Sequence, residues 1–218
     1  MIELYTSSVA PPRPATPLST STLLTRARTE PSLGHELARE MGSADRIDVL
    51  SAFITVGGVR TIWDAMSAAS RRGARVRVIT TVFTGITEVP ALDQIARLNG
   101  AEVRVSYDVR RTRLHAKAWL FARDTQLHTA YVGSANLTST ALGSGQEWMV
   151  KVAAGDLPDV IEKFEGTFEG LWNDPEFERY HPDTPGSTER LRGALRAETR
   201  SAPPAAIPLF TLSTTAGL

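Results

Sequence analysis

The sequence contains no cysteine, only four histidines among its 218 residues, and no long apolar run. The lack of cysteine excludes disulfides, thiolate zinc sites, iron–sulfur clusters and a cysteine nucleophile. No apolar run approaches the roughly 18–20 residues needed to cross a bilayer, and the N-terminus lacks the basic-then-apolar order of a signal peptide. We therefore expect a cytoplasmic protein with no membrane partner.

Charge of one sign is not in excess either. The 24 Lys and Arg residues balance 24 Asp and Glu residues, so no overall field points to nucleic acid or to an anionic membrane, and local clusters must carry any such argument. With 42% hydrophobic and 22% charged residues, the composition is typical of a folded protein with one sizeable domain.

Both ends of the chain are rich in proline and poor in residues that could form a core. Residues 1–30 are predicted to form an extended or disordered N-terminal arm. Residues 182–218 are predicted to be a Pro-rich C-terminal tail or linker, with one helical pattern from Thr188 to Thr199. Residues 31–181 remain as the folded domain.

Within residues 31–181, short apolar runs alternate with helical patterns. Strand–helix–strand units joined by short loops favour a largely parallel sheet covered on both faces. The pair of strands within residues 114–133 is expected to form an antiparallel hairpin. The predicted fold class is α/β, with a mixed, largely parallel sheet sandwiched between helices. Strands are predicted at 47–54, 75–80, 102–106, 114–121, 129–133 and 147–153, and helices at 31–41, 57–73, 90–98 and 157–172.

The strand predicted at 114–121 carries His115 and Lys117. Because successive side chains of a strand point to opposite faces, this spacing places both on one face. An ammonium group can neutralise a phosphate oxygen while a neighbouring imidazole attacks phosphorus or transfers a proton. Two such residues side by side therefore favour phosphodiester chemistry.

The next predicted strand is followed by Gly133-Ser134-Ala135-Asn136. A turn between a strand and a helix offers backbone N–H groups to an anion, and here a hydroxyl and a carboxamide add to them. The two segments together describe a phosphodiester site that needs no metal. Trp119, Tyr131 and Trp148 flank these segments and alternate like core residues, so we expect them to be buried.

These residues resemble the phospholipase D superfamily, whose signature is His-x-Lys followed by Gly-Ser-x-Asn. The similarity is closer to its bacterial nuclease branch, in the domain that precedes superfamily-2 helicase and restriction-type proteins. There the fuller pattern has Ala-Tyr-Val-Gly-Ser-Ala-Asn-Leu and a later Glu-Trp, which this chain has at 130–137 and at Glu147-Trp148. The resemblance covers about residues 47–181, and it implies that residues 31–181 form a phospholipase D-like catalytic domain.

The resemblance implies a hydrolase without cofactor or metal, acting through a phosphohistidine intermediate. Superfamily members use two facing His-x-Lys motifs, whereas none of the other histidines here has Lys two positions later. We therefore expect a homodimer whose two copies complete one active site. In it His115 of one copy attacks phosphorus and His115 of the other protonates the leaving oxygen. Lys117 and Asn136 hold the phosphoryl oxygens, Ser134 positions the phosphate or His115, and Glu147 orients the imidazole.

One position departs from the superfamily pattern. An Asp that often follows the Lys falls on Ala122 here, and the nearby Asp124 lies in the predicted hairpin connection. We assign Asp124 no catalytic role. Related nucleases use a Glu after the motif to orient the histidine, so Glu147 is the predicted carboxylate.

Three arginines precede His115 directly: Arg110, Arg111 and Arg113. Beside a site for phosphate, such a cluster is predicted to bind the backbone of a nucleic acid. The resemblance implies DNA as the substrate, restriction or phage defence as the setting, and a helicase or ATPase as a separate partner or a fused motor domain. Two alternatives stay open: a catalytically inactive module that binds or positions DNA, which the missing Asp favours, and a phospholipase or phosphatidyltransferase.

Overall fold

The computed structural model describes residues 13–110 and 113–201. The strands in this part of the chain are β1 (Thr22–Leu24), β2 (Arg46–Ser51), β3 (Arg75–Thr81), β4 (Ala101–Ser106), β5 (Lys117–Ala122), β6 (Thr129–Gly133), β7 (Met149–Ala153) and β8 (Phe177–Tyr180). The helices are α1 (Leu33–Met41), α2 (Val56–Arg71), α3 (Val89–Ala96), α4 (Ser139–Leu142), α5 (Pro158–Asn173) and α6 (Ser187–Ser201).

All eight strands belong to one sheet, in the order β1-β7-β6-β5-β2-β3-β4-β8. The prediction of a mixed α/β fold is confirmed, but the prediction of a largely parallel sheet is wrong. Among the described strands, only β2–β3 and β3–β4 pair in parallel, and the other five pairs are antiparallel. The reason is that, among the described elements, helical crossovers join strands that are neighbours in the sheet only from β2 to β3 and from β3 to β4. Strand β5 returns beside β2 without a helix and continues as a β5–β6–β7 meander.

Helices cover both faces of the sheet. On one face, five helices (α1, α2, α3, α4 and α6) contribute to the main core, where Val49, Val78, Trp119 and Tyr131 are buried. On the other face, α5 packs against residues that include Leu50, Ala118 and Ala130. The alternation of side chains along each strand therefore separates a large core from a smaller one that a single helix covers.

The N-terminal boundary predicted at residue 31 does not coincide with the edge of the sheet. Residues Thr22–Leu24 form β1, which pairs with β7. The residues that precede β1 bind the buried Lys151 ammonium of β7, which donates to the Thr16 carbonyl at 3.0 Å, to the Thr16 hydroxyl at 2.9 Å and to the Pro17 carbonyl at 3.0 Å. The same ammonium lies 3.0 Å from Glu40 Oε1. Residues 13–30 are therefore attached to the domain.

The C-terminal tail is also structured where it is described. The helical pattern at 188–199 is confirmed as α6, whose Leu191 and Leu195 join the main core. Strand β8 and the short helix α4 have no counterpart among the predicted elements, and β5 begins at Lys117 rather than at Leu114. His115 consequently precedes β5 instead of lying within it.

Candidate phosphodiester site

An open cleft of about 530 Å³ lies where β5 begins and β6 ends. Because these strands are antiparallel neighbours, the start of β5 and the end of β6 lie side by side at the same end of the sheet's strands. Four of the five residues predicted to be catalytic line this cleft, and their roles stay predictions. The lining consists of His115, Ala116, Lys117, Ala118, Val132, Gly133, Ser134 and Asn136.

His115 and Lys117 contact each other directly. Lys117 Nζ lies 2.9 Å from His115 Nδ1 and donates to the His115 carbonyl at 2.6 Å. An ammonium group has donors only, so Nδ1 accepts and the proton of the neutral ring lies on Nε2. The ring makes a T-shaped contact with Phe53, with the ring centroids 5.9 Å apart.

The Lys117 side chain is nearly enclosed, with 7% of its surface exposed. Burial lowers the pKa of its ammonium group, and the negative charge of Glu147 partly opposes that shift. Desolvation favours the neutral amine, whereas a nearby carboxylate favours the charged form. The charged form of Lys117 is therefore destabilised by burial next to the His115 imidazole and partly stabilised by Glu147.

The loop after β6 is held by close contacts with the segment after β2. Ser51 Oγ accepts from Leu137 N at 3.0 Å, and Thr55 N donates to the Leu137 carbonyl at 3.0 Å. A Cβ at Gly58 would lie 2.1 Å from that carbonyl oxygen, so only glycine fits at this contact. These contacts fix the loop that carries Asn136.

Asn136 and Gly133 have defined orientations within this loop. Asn136 Oδ1 accepts from Phe53 N at 3.1 Å, so the amide nitrogen is the part of the side chain left to donate into the cleft. A Cβ at Gly133 would lie 2.0 Å from the Trp148 carbonyl oxygen. The glycine of the motif therefore allows β6 and the segment before β7 to approach each other.

Glu147 contacts Ser134 rather than His115 of the same chain. The Ser134 hydroxyl donates to Glu147 Oε2 and accepts from Trp148 N at 3.1 Å. The predicted orientation of His115 by Glu147 is thus not made within one chain, because Lys117 occupies His115 Nδ1. The prediction that Trp148 is buried is wrong, since 61% of its surface is exposed, whereas Trp119 and Tyr131 are buried as predicted.

The three arginines predicted to bind nucleic acid have different surroundings. Arg113 is exposed two residues before His115, and Arg111 lies outside the described residues. Arg110 is exposed and borders a hollow of about 660 Å³ that five acidic residues also line. The charge of Arg110 therefore acts in an acidic neighbourhood. The acidic residues are Asp108, Asp174, Glu176, Glu178 and Glu198.

Residues 13–110 and 113–201 contain neither a cluster of metal ligands nor a membrane-spanning helix. No group of three or more His, Asp or Glu side chains in these ranges could hold a metal ion. No helix in the same ranges has the length and apolar character needed to cross a membrane. The prediction of a site without metal stays a prediction.

Sequence reasoning missed Ser51 and Phe53 as parts of the site. Ser51 bridges two segments, since its hydroxyl donates to the Phe53 carbonyl at 2.9 Å and accepts from Leu137 N. The available signal was a polar residue near the end of a buried apolar run, where neighbouring strand ends meet. Phe53 carried no such signal.

Comparisons with known proteins place these residues in a family context. Residues 37–172 match the family described as "Cardiolipin synthase, PLD-like domain". No curated protein matches the sequence significantly.

The solved structures that resemble the fold include the following three, all at identities that carry information on the fold alone. Nuc from Salmonella typhimurium, a phospholipase D family member, is 20% identical with a TM-score of 0.55, covering 74% of this chain and 98% of Nuc. NucT from Helicobacter pylori is 14% identical with a TM-score of 0.55, covering 70% of this chain and 95% of NucT. Polyphosphate kinase from Porphyromonas gingivalis is 18% identical with a TM-score of 0.54, covering 72% of this chain and 26% of the kinase.

Proposed function

The chain belongs to the phospholipase D-like domain family of cardiolipin synthase, and from that premise we propose that it hydrolyses phosphodiester bonds in DNA without a metal, as a homodimeric endonuclease. The observation that carries the proposal is the contact of 2.9 Å between Lys117 Nζ and His115 Nδ1 at an open cleft. Asn136 and Ser134 line the same cleft, so a cation, an imidazole, an amide and a hydroxyl surround one space.

The proposed reaction has two displacements at phosphorus. His115 Nε2 attacks the phosphodiester, a P–N bond forms, and the P–O bond to the leaving group breaks. The His115 of the second copy gives its proton to the leaving oxygen and then takes a proton from the water that cleaves the P–N bond. Lys117 and Asn136 hold the phosphoryl oxygens while charge accumulates there.

The tautomer of His115 supports the need for a second copy. In the single chain, Nδ1 accepts from Lys117, which leaves the proton on Nε2 and blocks attack through that atom. When Lys117 turns to a phosphate oxygen, a carboxylate at Nδ1 would hold the proton there and free Nε2. We propose that Glu147 of the second copy is this carboxylate. Within each chain Glu147 bonds Ser134 through Oε2 and not His115, and Oε1 is the atom proposed to reach the His115 of the other copy.

DNA is the substrate that the exposed Arg113 and the resemblance to the nuclease branch favour. Each arginine that meets a phosphate releases counterions from the nucleic acid and so contributes to affinity. The setting that goes with this substrate is restriction or phage defence, beside a helicase or ATPase. A DNA-binding module without catalysis and a phospholipid-cleaving enzyme are the competing functions.

The test is cleavage of labelled single- and double-stranded DNA with saturating chelator, alongside turnover of phospholipid vesicles. We expect the wild type to cleave DNA, His115→Asn to be inactive, and Lys117→Ala to lose at least 100-fold in kcat/KM, as for other groups that stabilise charge in the transition state. His35→Asn is the matched control, because His35 is an exposed histidine on α1. Magnesium-dependent cleavage that survives His115→Asn would refute this active site, and turnover of vesicles alone would refute the substrate.

A further inference from the structure

One part of the sheet face that packs against α5 is not covered by any of the residues that the structure describes. Val132 and Val150 lie directly opposite each other on β6 and β7, and Leu23 of β1 lies opposite Val150. Directly opposed residues of antiparallel strands share a face. Their side chains are 42–46% exposed, although three aliphatic residues in one row are the pattern of a buried surface.

Trp148 extends this apolar surface along the direction of the strands. The antiparallel pairing continues one step beyond β7, because Ser134 N donates to the Trp148 carbonyl at 3.1 Å. The two-residue period of extended chain then puts Trp148 on the same face as Val150. We call the surface formed by Leu23, Val132, Trp148 and Val150 the open sheet face.

An apolar groove of about 380 Å³ adjoins the open sheet face. It lies between the sheet and α5, which contributes Val160, Phe164, Phe168 and Leu171. Among the described residues that line it, Lys163 is the only charged one. Ala118 and Val132 line both this groove and the cleft that contains His115. The open sheet face, the groove and the cleft are therefore continuous.

We propose that a second copy of this chain covers the open sheet face, and that Trp148 of each copy inserts into the groove of the other. This inference rests on the proposed function, in which two copies bring two His115 side chains to one site. A two-fold interface uses the same surface on both partners, so that surface must contain both a projection and a cavity. Trp148 and the groove are that pair, and both adjoin the cleft.

The composition of the surface favours a protein partner. Exposed tryptophans that enter apolar pockets are frequent energetic anchors of protein interfaces. A nucleic-acid strand would need cations along its path, and none of the four residues of the open sheet face is charged. Contact through this surface would also place the two clefts side by side, which is what a shared active site requires.

The first experiment measures self-association of the full chain by sedimentation velocity over a range of concentrations. We expect a wild-type dimer and a dissociation constant at least tenfold higher in Trp148→Ala and in Val150→Asp. Leu127→Asp is the matched control, because Leu127 is equally exposed but lies in the β5–β6 connection at the opposite end of β5. It should dimerise like the wild type.

The second experiment uses the absence of cysteine from the sequence. The single thiol introduced by Val160→Cys at the groove should react slowly with a maleimide when the protein is dimeric and rapidly on dilution. The thiol introduced by Gly193→Cys is the control, since that exposed α6 position has open space around it. Its rate should not depend on protein concentration.

A wild-type monomer at micromolar concentration would overturn the inference, as would Trp148→Ala and Val150→Asp proteins that dimerise normally. A Trp148→Ala dimer that has lost only DNA or vesicle binding would assign Trp148 to the substrate instead, which also overturns it. The cleavage assay separates the two proposals. Chelator-resistant cleavage by a dimer built on another surface would reject the interface alone, and dissociation by Val150→Asp without any wild-type cleavage would reject the nuclease alone.

Discussion

At the scale of single residues, the ionisation of Lys117 should limit activity at alkaline pH. Burial lowers the pKa of its ammonium group and the Glu147 charge counteracts this. Activity should therefore fall as pH rises through the lowered pKa, because a neutral amine lacks the positive charge that stabilises the phosphate oxygens. Glu147→Gln removes the opposing charge, so its alkaline limb should move to lower pH.

The measurement is kcat/KM over about pH 6 to 10, a range that contains the ordinary histidine pKa and the region below the ordinary lysine pKa. Glu162→Gln, an exposed carboxylate change on α5, should leave the limb where it is. Glu147→Gln also lowers the rate if the carboxylate orients the partner's imidazole, but a lower rate does not move the limb. A limb at unchanged or higher pH would contradict the electrostatic coupling.

His115, Lys117, Ser134 and Asn136 could be predicted from the sequence to line the cleft, because their side chains have functional groups that suit phosphate chemistry and occur at a fixed spacing. His115 and Lys117 still face one space although His115 precedes the strand, since both line the cleft and Lys117 Nζ lies 2.9 Å from His115 Nδ1. Trp148 could not be predicted. Its alternation matches a buried strand, but no helix within residues 13–110 and 113–201 covers that part of the sheet. The position of a helix is a tertiary property.

At the scale of elements, the directions of the strands could be predicted from the sequence only in part. Strand–helix–strand patterns correctly indicate the parallel pairs β2–β3 and β3–β4. No local sequence pattern predicts that β5 pairs with β2, because hydrophobic periodicity indicates which face of a strand is buried and not which strand is its neighbour. Strand β1 was missed for a related reason: three residues among prolines and threonines form a strand only because β7 offers them an edge.

The N-terminal segment should contribute measurably to stability. Thr16 Oγ1 donates to Glu36 Oε2 at 2.7 Å and accepts from Lys151 at 2.9 Å. Thr16→Val removes both bonds to charged groups, and we expect it to lower the free energy of unfolding by about 2–3 kcal/mol. Urea denaturation measures the change.

Thr61→Val is the control for this change. The Thr61 hydroxyl is exposed on α2 and donates to the Gly57 carbonyl of the same helix, so we expect an effect within about 0.5 kcal/mol, as for most surface substitutions. Equal effects of the two substitutions would mean that residues 13–30 behave as the separable arm that the sequence predicts.

At the scale of the whole molecule, zero net charge makes the local distribution of charge decisive for DNA binding. Arg113 is exposed close to the cleft, whereas Arg110 borders the acidic hollow. We expect Arg113→Gln to weaken DNA binding and to reduce the slope of log affinity against log salt by about one. Arg110→Gln should change that slope less, because the acidic residues around Arg110 keep phosphates away.

The measurement is fluorescence anisotropy with labelled DNA at several salt concentrations. Arg179→Gln provides a reference, since this exposed arginine on β8 has a weak ion pair at 3.8 Å with Glu102 and lies at the far edge of the sheet from β6 and β7. Equal slopes of log affinity against log salt for Arg113→Gln and Arg179→Gln would contradict a contact between Arg113 and the DNA phosphates.

The attachment of residues 13–24 to β7 has a consequence for how the protein is made. Thr16 and Lys151 are 135 positions apart in the chain, and a ribosome adding about 5–20 residues per second needs roughly 7–27 s to synthesise that interval. During that time residues 13–24 have no strand to join, because β7 has not yet been synthesised. A segment that is made well before its partner strand is therefore among the last to dock, and vectorial synthesis leaves it accessible to chaperones and proteases until β7 has formed.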